Sequence, residues 1–230
     1  MVKKYDIVEF VEAGAPLTEP VTKFGGQPVW LAEPEWPLSR ELGEQMEFIC
    51  QVALDSELLG VPSGKMAYLF MTGDEAAIAN TWDPGAGENA IVIQPGGRTG
   101  VALVTRPLET GPSVRTWIED GPGDGTGWMP REYGVELGFG EDPDPVPSEV
   151  EISWTDEEYD AYCDSLAGNK IGGMPLFIQG DAYPEDGSWR FLLQLDMMEV
   201  PFHVNFGDAG MGYAFLSEDG QSGRFLWQCY

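Results

Sequence analysis

The sequence is poor in histidine, in cysteine and in positive charge. His203 is the only histidine, which excludes zinc or iron sites built from several histidines of one chain. It also leaves a Ser–His or Cys–His nucleophile only one base to use, and no nucleophile-elbow motif surrounds any serine. Cys50, Cys163 and Cys229 show neither a metal-ligand spacing nor an even disulfide set. A P-loop is missing, and the glycine-rich segments lack the strand–fingerprint–helix setting of a dinucleotide site. The acidic loops Asp181–Glu185–Asp186 and Glu218–Asp219 lack the EF-hand spacing. No metal and no cofactor are therefore expected. Apolar runs fall short of membrane-spanning length, and Met1 to Asp6 do not begin a signal peptide, so a cytoplasmic protein is expected.

Basic residues number 12 against 39 Asp and Glu, a formal net charge of −27. Such a surface repels phosphate backbones and anionic lipid, which argues against nucleic-acid and membrane partners. It suits a basic protein partner or cations; adaptation to high salt is the plainer alternative. What is abundant points to fold class. Thirty glycines and 18 prolines argue against a helical bundle, while 43% hydrophobic residues are enough for a core.

The chain repeats a phrase. Lys23-Phe24-Gly25-Gly26-Gln27-Pro28 returns as Lys170-Ile171-Gly172-Gly173-Met174-Pro175. Phe48-Ile49-Cys50-Gln51 answers Phe191-Leu192-Leu193-Gln194, Asp55 answers Asp196, Tyr68-Leu69-Phe70 answers Tyr213-Ala214-Phe215, and Asp74 answers Asp219. This is an internal duplication, with repeats at about 22–75 and 169–220 and an insert, 76–168, that has no counterpart.

Strands are expected at Ile7–Val11, Val29–Leu31, Met46–Leu54, Met66–Met71, Ala90–Ile93, Val101–Thr105, Tyr133–Phe139, Lys170–Gln179, Trp189–Leu195, Met211–Leu216 and Arg224–Trp227. Gly121–Gly127 reads as turn-rich, and Glu141–Pro147 as an irregular surface linker. Thr155-Asp156-Glu157-Glu158 is a capping box. Tyr159, Tyr162, Cys163 and Leu166 then form one apolar stripe on a helix that Gly168 ends. The expectation is one α+β domain, 1–230, β-rich with few helices, built from two pseudo-symmetric repeats.

The repeated phrase, Trp36-Pro37, Phe48-x-x-Gln51 and the Gly64–Phe70 strand belong to a longer ordered pattern. It continues through Gln179, Leu192-Leu193-Gln194-Leu195-Asp196, Gly207-Asp208-Ala209-Gly210 and Gln228-Cys229-Tyr230. Together, from about Lys23 to Tyr230, these resemble the YwqG-like family, bacterial domains of unknown function. The resemblance implies a compact α+β fold and no established reaction. Relatives among toxin and immunity genes suggest, at family level, an immunity-type role.

The duplicated Lys23, Gly25, Gly26 and Gln51 with Lys170, Gly172, Gly173 and Gln194 form the first candidate site. Two lysines and glycine amides suit an anion in a backbone nest; alternatively, each lysine pairs with a carboxylate and each glycine pair serves a bend. The two glutamines are expected to bond backbone. Asp55 and Asp196 stand where paired acids can act, but equally where aspartate starts a turn. The function expected is a non-enzymatic binding protein whose acidic surface takes a basic protein partner. The alternative is a small-molecule binder or enzyme with a pocket between the repeats, lined by Trp30, Trp36 or Trp189 with the paired lysines and glutamines.

Overall fold

The computed structural model describes residues 1–73, 80–98, 103–121, 125–185 and 187–230. Asp74 and Asp186 lie outside them. The strands of the first half of the chain are β1 (Val2–Glu12), β2 (Lys23–Gly25), β3 (Trp36–Leu38), β4 (Glu47–Ala53), β5 (Met66–Met71), β6 (Asn89–Gln94) and β7 (Val104–Arg106). Those of the second half are β8 (Arg115–Gly121), β9 (Gly125–Pro130), β10 (Glu132–Asp142), β11 (Lys170–Gly172), β12 (Trp189–Asp196), β13 (Met211–Ser217) and β14 (Gly223–Gln228). Among the described residues the helices are short: α1 (Ser56–Leu59), α2 (Ser148–Glu151) and α3 (Asp156–Leu166).

Ten strands join one antiparallel sheet in the order β14-β13-β12-β11-β1-β10-β2-β4-β5-β6. The sheet curls until β6 and β14 lie beside each other, making a nearly closed barrel. A Cβ on Gly223 of β14 would stand 2.6 Å from Ile91 of β6, so only glycine lets the two strands come this close. Two smaller ribbons, β3–β7 and β8–β9, stand outside this sheet.

Alternation along the strands builds the packing. In β5, Ala67, Leu69 and Met71 point inward, while Met66, Tyr68 and Phe70 point outward; in β13, Ala214 and Leu216 point inward, while Met211, Tyr213 and Phe215 point outward. The inward residues of all the long strands meet in one apolar core that fills the barrel. The outward residues are buried too, in two satellite clusters, which is why these strands read as unbroken apolar runs. Each fully buried Phe or Leu contributes about 1.5–3 kcal/mol.

Each satellite cluster is covered by the chain that leaves a Gly-Gly pair. Trp30, Leu31 and Trp36 cover the first cluster; Leu176, Phe177, Ile178 and Tyr183 cover the second. These stretches were expected as strands Val29–Leu31 and Lys170–Gln179, but only Lys170–Gly172 is one. The reason is backbone geometry: Gly25 and Gly26 have φ of 68° and 67°, Gly172 and Gly173 have 71° and 77°, and two left-handed residues in succession turn the chain off the sheet.

Other boundaries also moved. β10 runs on through Glu141 and Asp142, expected as linker, because Val2 and Lys3 of β1 pair with them. The β8–β9 pairing was not expected; residues 122–124 between these strands lie outside the described residues, as do 101 and 102 ahead of β7. Thr155 and Glu158 form the capping box, and Ala167 is the C-cap, with Gly168 following at φ 86°. Of the expected apolar stripe only Leu166 is buried.

Candidate functional site

Lys23 and Lys170 are 1% and 0% exposed, and each is consumed by its own half of the fold. Lys23 Nζ donates to the Leu17 carbonyl at 3.0 Å, to the Gln27 carbonyl at 2.7 Å and to the Glu132 carboxylate. Lys170 Nζ donates to Asp142 Oδ2 at 2.8 Å and to the Leu166 carbonyl at 2.7 Å. Glu132 and Asp142 are the first and last residues of β10. The Leu17 amide donates to Glu132 at 3.0 Å and the Met174 amide to Asp142 at 2.8 Å. The glycine pairs leave room for these acids. A Cβ on Gly26 would come within 2.5 Å of the Glu132 carboxyl carbon, and one on Gly173 would overlap Asp142 Oδ2.

The surroundings of the two lysines differ at the next strand. Glu132 stands opposite Gly25 in the β10–β2 ladder, and Lys4 stands opposite Gly172 in the β1–β11 ladder. A third lysine therefore replaces the acid, and Asp142, fully buried, serves both lysines: Lys4 Nζ is 2.8 Å from Oδ1 and 2.9 Å from Asp6. Burial drives the Lys170 ammonium down to about 8, against the opposing pull of Asp142. Burial would raise Asp142, but Lys170, Lys4 and the Met174 amide outweigh it and hold the carboxyl below its ordinary value. Burial lowers Lys4 as well, but Asp142 and Asp6 more than reverse that.

The glutamines belong to a second device. Gln51 lies opposite Tyr68, and Gln94 opposite Met66 on the next strand; Gln194 lies opposite Tyr213, and Gln228 opposite Met211. Each Gln–Tyr–Gln row holds the covering segment by its backbone. Gln51 accepts from Val29 N at 2.8 Å, Tyr68 donates to Val29 O at 2.7 Å, and Gln94 accepts from Ala32 N at 3.1 Å. In the other half Gln194 accepts from Leu176 N at 2.7 Å, Tyr213 donates to Leu176 O at 2.6 Å, and Gln228 accepts from Gln179 N at 3.1 Å. The Gln51 amide nitrogen donates to Val21 O at 2.8 Å, and that of Gln194 to Leu166 O at 3.0 Å and Gly168 O at 2.9 Å.

The structure does not bring the two sets of duplicated residues into one site. Trp36 is buried with its indole donating to the Met46 carbonyl at 2.8 Å, and Trp30 packs beside it in the first cluster. Trp189 packs in the second cluster under the Arg224 guanidinium, 5.2 Å from the ring centre. Between the halves lies filled core. A small cavity of about 180 Å³ opens at the β6–β14 seam, lined by Asn89, Ile91, Gly223 and Arg224 and by none of the paired lysines, glutamines or tryptophans. Asp55 caps α1, accepting from Glu57 N at 2.7 Å, and Asp196 accepts from Met198 N at 2.8 Å: both start turns. Asp219 binds Ser217 and Arg98, which hold its carboxyl down to about 2.

An apolar recess lies between the α2–α3 segment and the covering stretch 174–183. It encloses about 620 Å³, floored by Tyr162, Phe177, Ile178 and Tyr183 and edged by Ile152 and Tyr159, which are 85% and 46% exposed. Its rim is acidic. Between residues 143 and 189 there are eleven Asp and Glu and one basic residue, the buried Lys170. Burial raises the Cys163 thiol, a hydrogen bond with Tyr159 opposes it, and Asp160, Glu151 and Asp164 add to the rise; burial and then Glu151 raise the Tyr162 phenol. Burial and then Asp181 push Tyr183 up to about 12.

A family profile described as a domain of unknown function (DUF1963) matches residues 104–225, more than half of the 230-residue chain. The chain belongs to the DUF1963 family. No curated protein matches it. The DUF1963 span takes in Glu132, Asp142, Lys170, Gln194 and Tyr213, that is, both acids that hold the buried lysines. It also takes in α3 and the recess beside it. Neither acid was singled out from the sequence, nor was Gln94. The available signal is position: Gln94 and Gln228 each end a strand.

Proposed function

We propose that this chain is a YwqG-like, cytoplasmic, non-enzymatic binding protein that takes a basic protein partner on an acidic exterior. In the immunity form of that role it covers the cationic site of a toxin, where complementary charge speeds encounter and fixes orientation. The support is the disposition of the cations. Three of the five lysines, Lys4, Lys23 and Lys170, are buried on internal acids, so fewer cations remain outside to offset the carboxylates of a chain with net charge −27. Lys65, a fourth, donates to Pro95 O and Gln221. The polar groups that the duplication carries are spent on holding the fold, and the surface carries the binding.

The architecture behind this reading is two five-stranded repeats about a pseudo-twofold axis between β1 and β10. On that reading β2, β4, β5 and β6 answer β11, β12, β13 and β14, and each repeat extends beyond 22–75 and 169–220 to include β10 or β1 and its last strand. The matching registers at Lys23–Gln51 and Lys170–Gln194 favour it.

The test is capture on the folded, immobilised protein from lysate of the source cell, loaded at low salt and eluted at moderate salt, with mass identification. A single stoichiometric basic protein released by salt is the expected result. An empty capture, or a partner indifferent to salt, overturns the reading.

A further inference from the structure

The recess beside α3 combines two properties that together select an occupant. Its floor is apolar and aromatic, and its edge leaves Ile152 and Tyr159 in water. Exposed apolar surface rimmed by polar groups marks an interaction site. The rim is of one sign: α3 carries Asp156, Glu157, Glu158, Asp160 and Asp164 with no base, and Glu151 and Asp181 line the opposite edges. We propose that this recess docks an amphipathic cationic segment of a basic partner protein, apolar side chains in the floor and lysines or arginines against the rim; this rests on the basic-partner reading above.

Charge decides among occupants. A nucleic acid or an acidic peptide is repelled by the rim, and a second copy of this chain brings the same carboxylates. The volume, about 620 Å³, accommodates a few side chains of a short segment rather than a whole domain. An amphipathic helix laid with its apolar face in a groove is an established mode of peptide recognition. The position is also firmly built. The floor residues Phe177 and Ile178 belong to the segment that Gln194, Tyr213 and Gln228 hold by its backbone, so the apolar floor is formed before a partner arrives.

Fluorescence anisotropy with a labelled synthetic peptide tests this, the peptide having leucines on one helical face and lysines on the other. A scrambled peptide of the same composition, a version with glutamine for lysine, and a lysine homopolymer serve as comparisons. The amphipathic cationic peptide is expected to bind about tenfold more tightly than the scrambled or uncharged one at low salt, and to lose that binding in molar salt. Ile152→Ser with Tyr159→Ser should weaken it about fivefold or more, whereas Val8→Ser and Val104→Ser, exposed apolar residues away from the recess, should not change it. If the cationic probes bind in a salt-sensitive way but the groove variants behave as wild type, the groove is overturned and the charge reading stands. If the uncharged peptide binds as well as the cationic one, the occupant's charge is overturned. If no cationic probe binds at low salt, both fail.

Discussion

Glu132 and Asp142 are the two ends of one strand, and each holds the lysine of a different half of the sheet. β10 thus acts as a tie bar. Its eleven residues join two buried charges that share no other partner, and the second end also anchors Lys4. Removing either end strands a cation in the interior, which is far more damaging than losing an exposed ion pair.

Asp142→Asn should therefore destabilise the fold by about 3–5 kcal/mol, since Lys170, fully buried, loses its acid and Lys4 loses one of its two. Urea denaturation at neutral pH measures it. The acid limb gives a second readout. Asp142 sits below its ordinary 3.8, so its contribution is present above that value and is lost as pH falls through the folded-state pKa. Wild type should lose stability there faster than the Asn variant; parallel curves would refute the assignment.

Lys170 behaves in the opposite sense. Its ammonium titrates near 8 in the fold against 10.5 when free, so between those values the unfolded chain binds more protons. This group's contribution then favours folding increasingly as pH climbs from about 8 towards 10.5. Lys170→Met should remove that rise, seen as a flatter stability profile across the alkaline window than that of wild type.

Gly173→Ala should destabilise by about 1–3 kcal/mol, because a β-carbon there needs a left-handed backbone and also displaces Asp142. Gly14→Ala, with no atom within 4 Å of the added carbon, should change stability little. Thermal melts of the two variants side by side decide it.

Gln228→Leu should loosen the 174–183 segment without unfolding the barrel, because it removes the amide that accepts from Gln179 N and donates to Gly180 O. Hydrogen exchange should accelerate at Gln179 and its neighbours while the β12–β13 amides stay protected. Uniform acceleration over the whole sheet would show that the row is part of the global core instead.

The duplicated residues were legible because they are identical: Lys23 with Lys170, the glycine pairs, and Gln51 with Gln194 occupy equal registers. Their counter-ions were not legible. Glu132 lies outside both copies of the phrase, and the residue at its register on the other side is Lys4, so no identity marks the relationship. Asp142 was hidden by its neighbours, since the prolines after it suggest a solvent-facing linker while the strand in fact ends on it. Long apolar strands announced themselves, but their two-sided burial hid which face met the barrel. The α3 stripe failed for a local reason: the helix lies at the rim, so Tyr159 borders a recess instead of entering a core.

The meeting of β6 and β14 changes how this molecule presents itself to other copies. An open sheet leaves a row of unmatched backbone donors and acceptors at each margin, and another chain can add to either row. Here the two margins face one another, with Gly223 set against Ile91 at their closest approach. An incoming strand therefore finds little room at either margin, because each is occupied by the other.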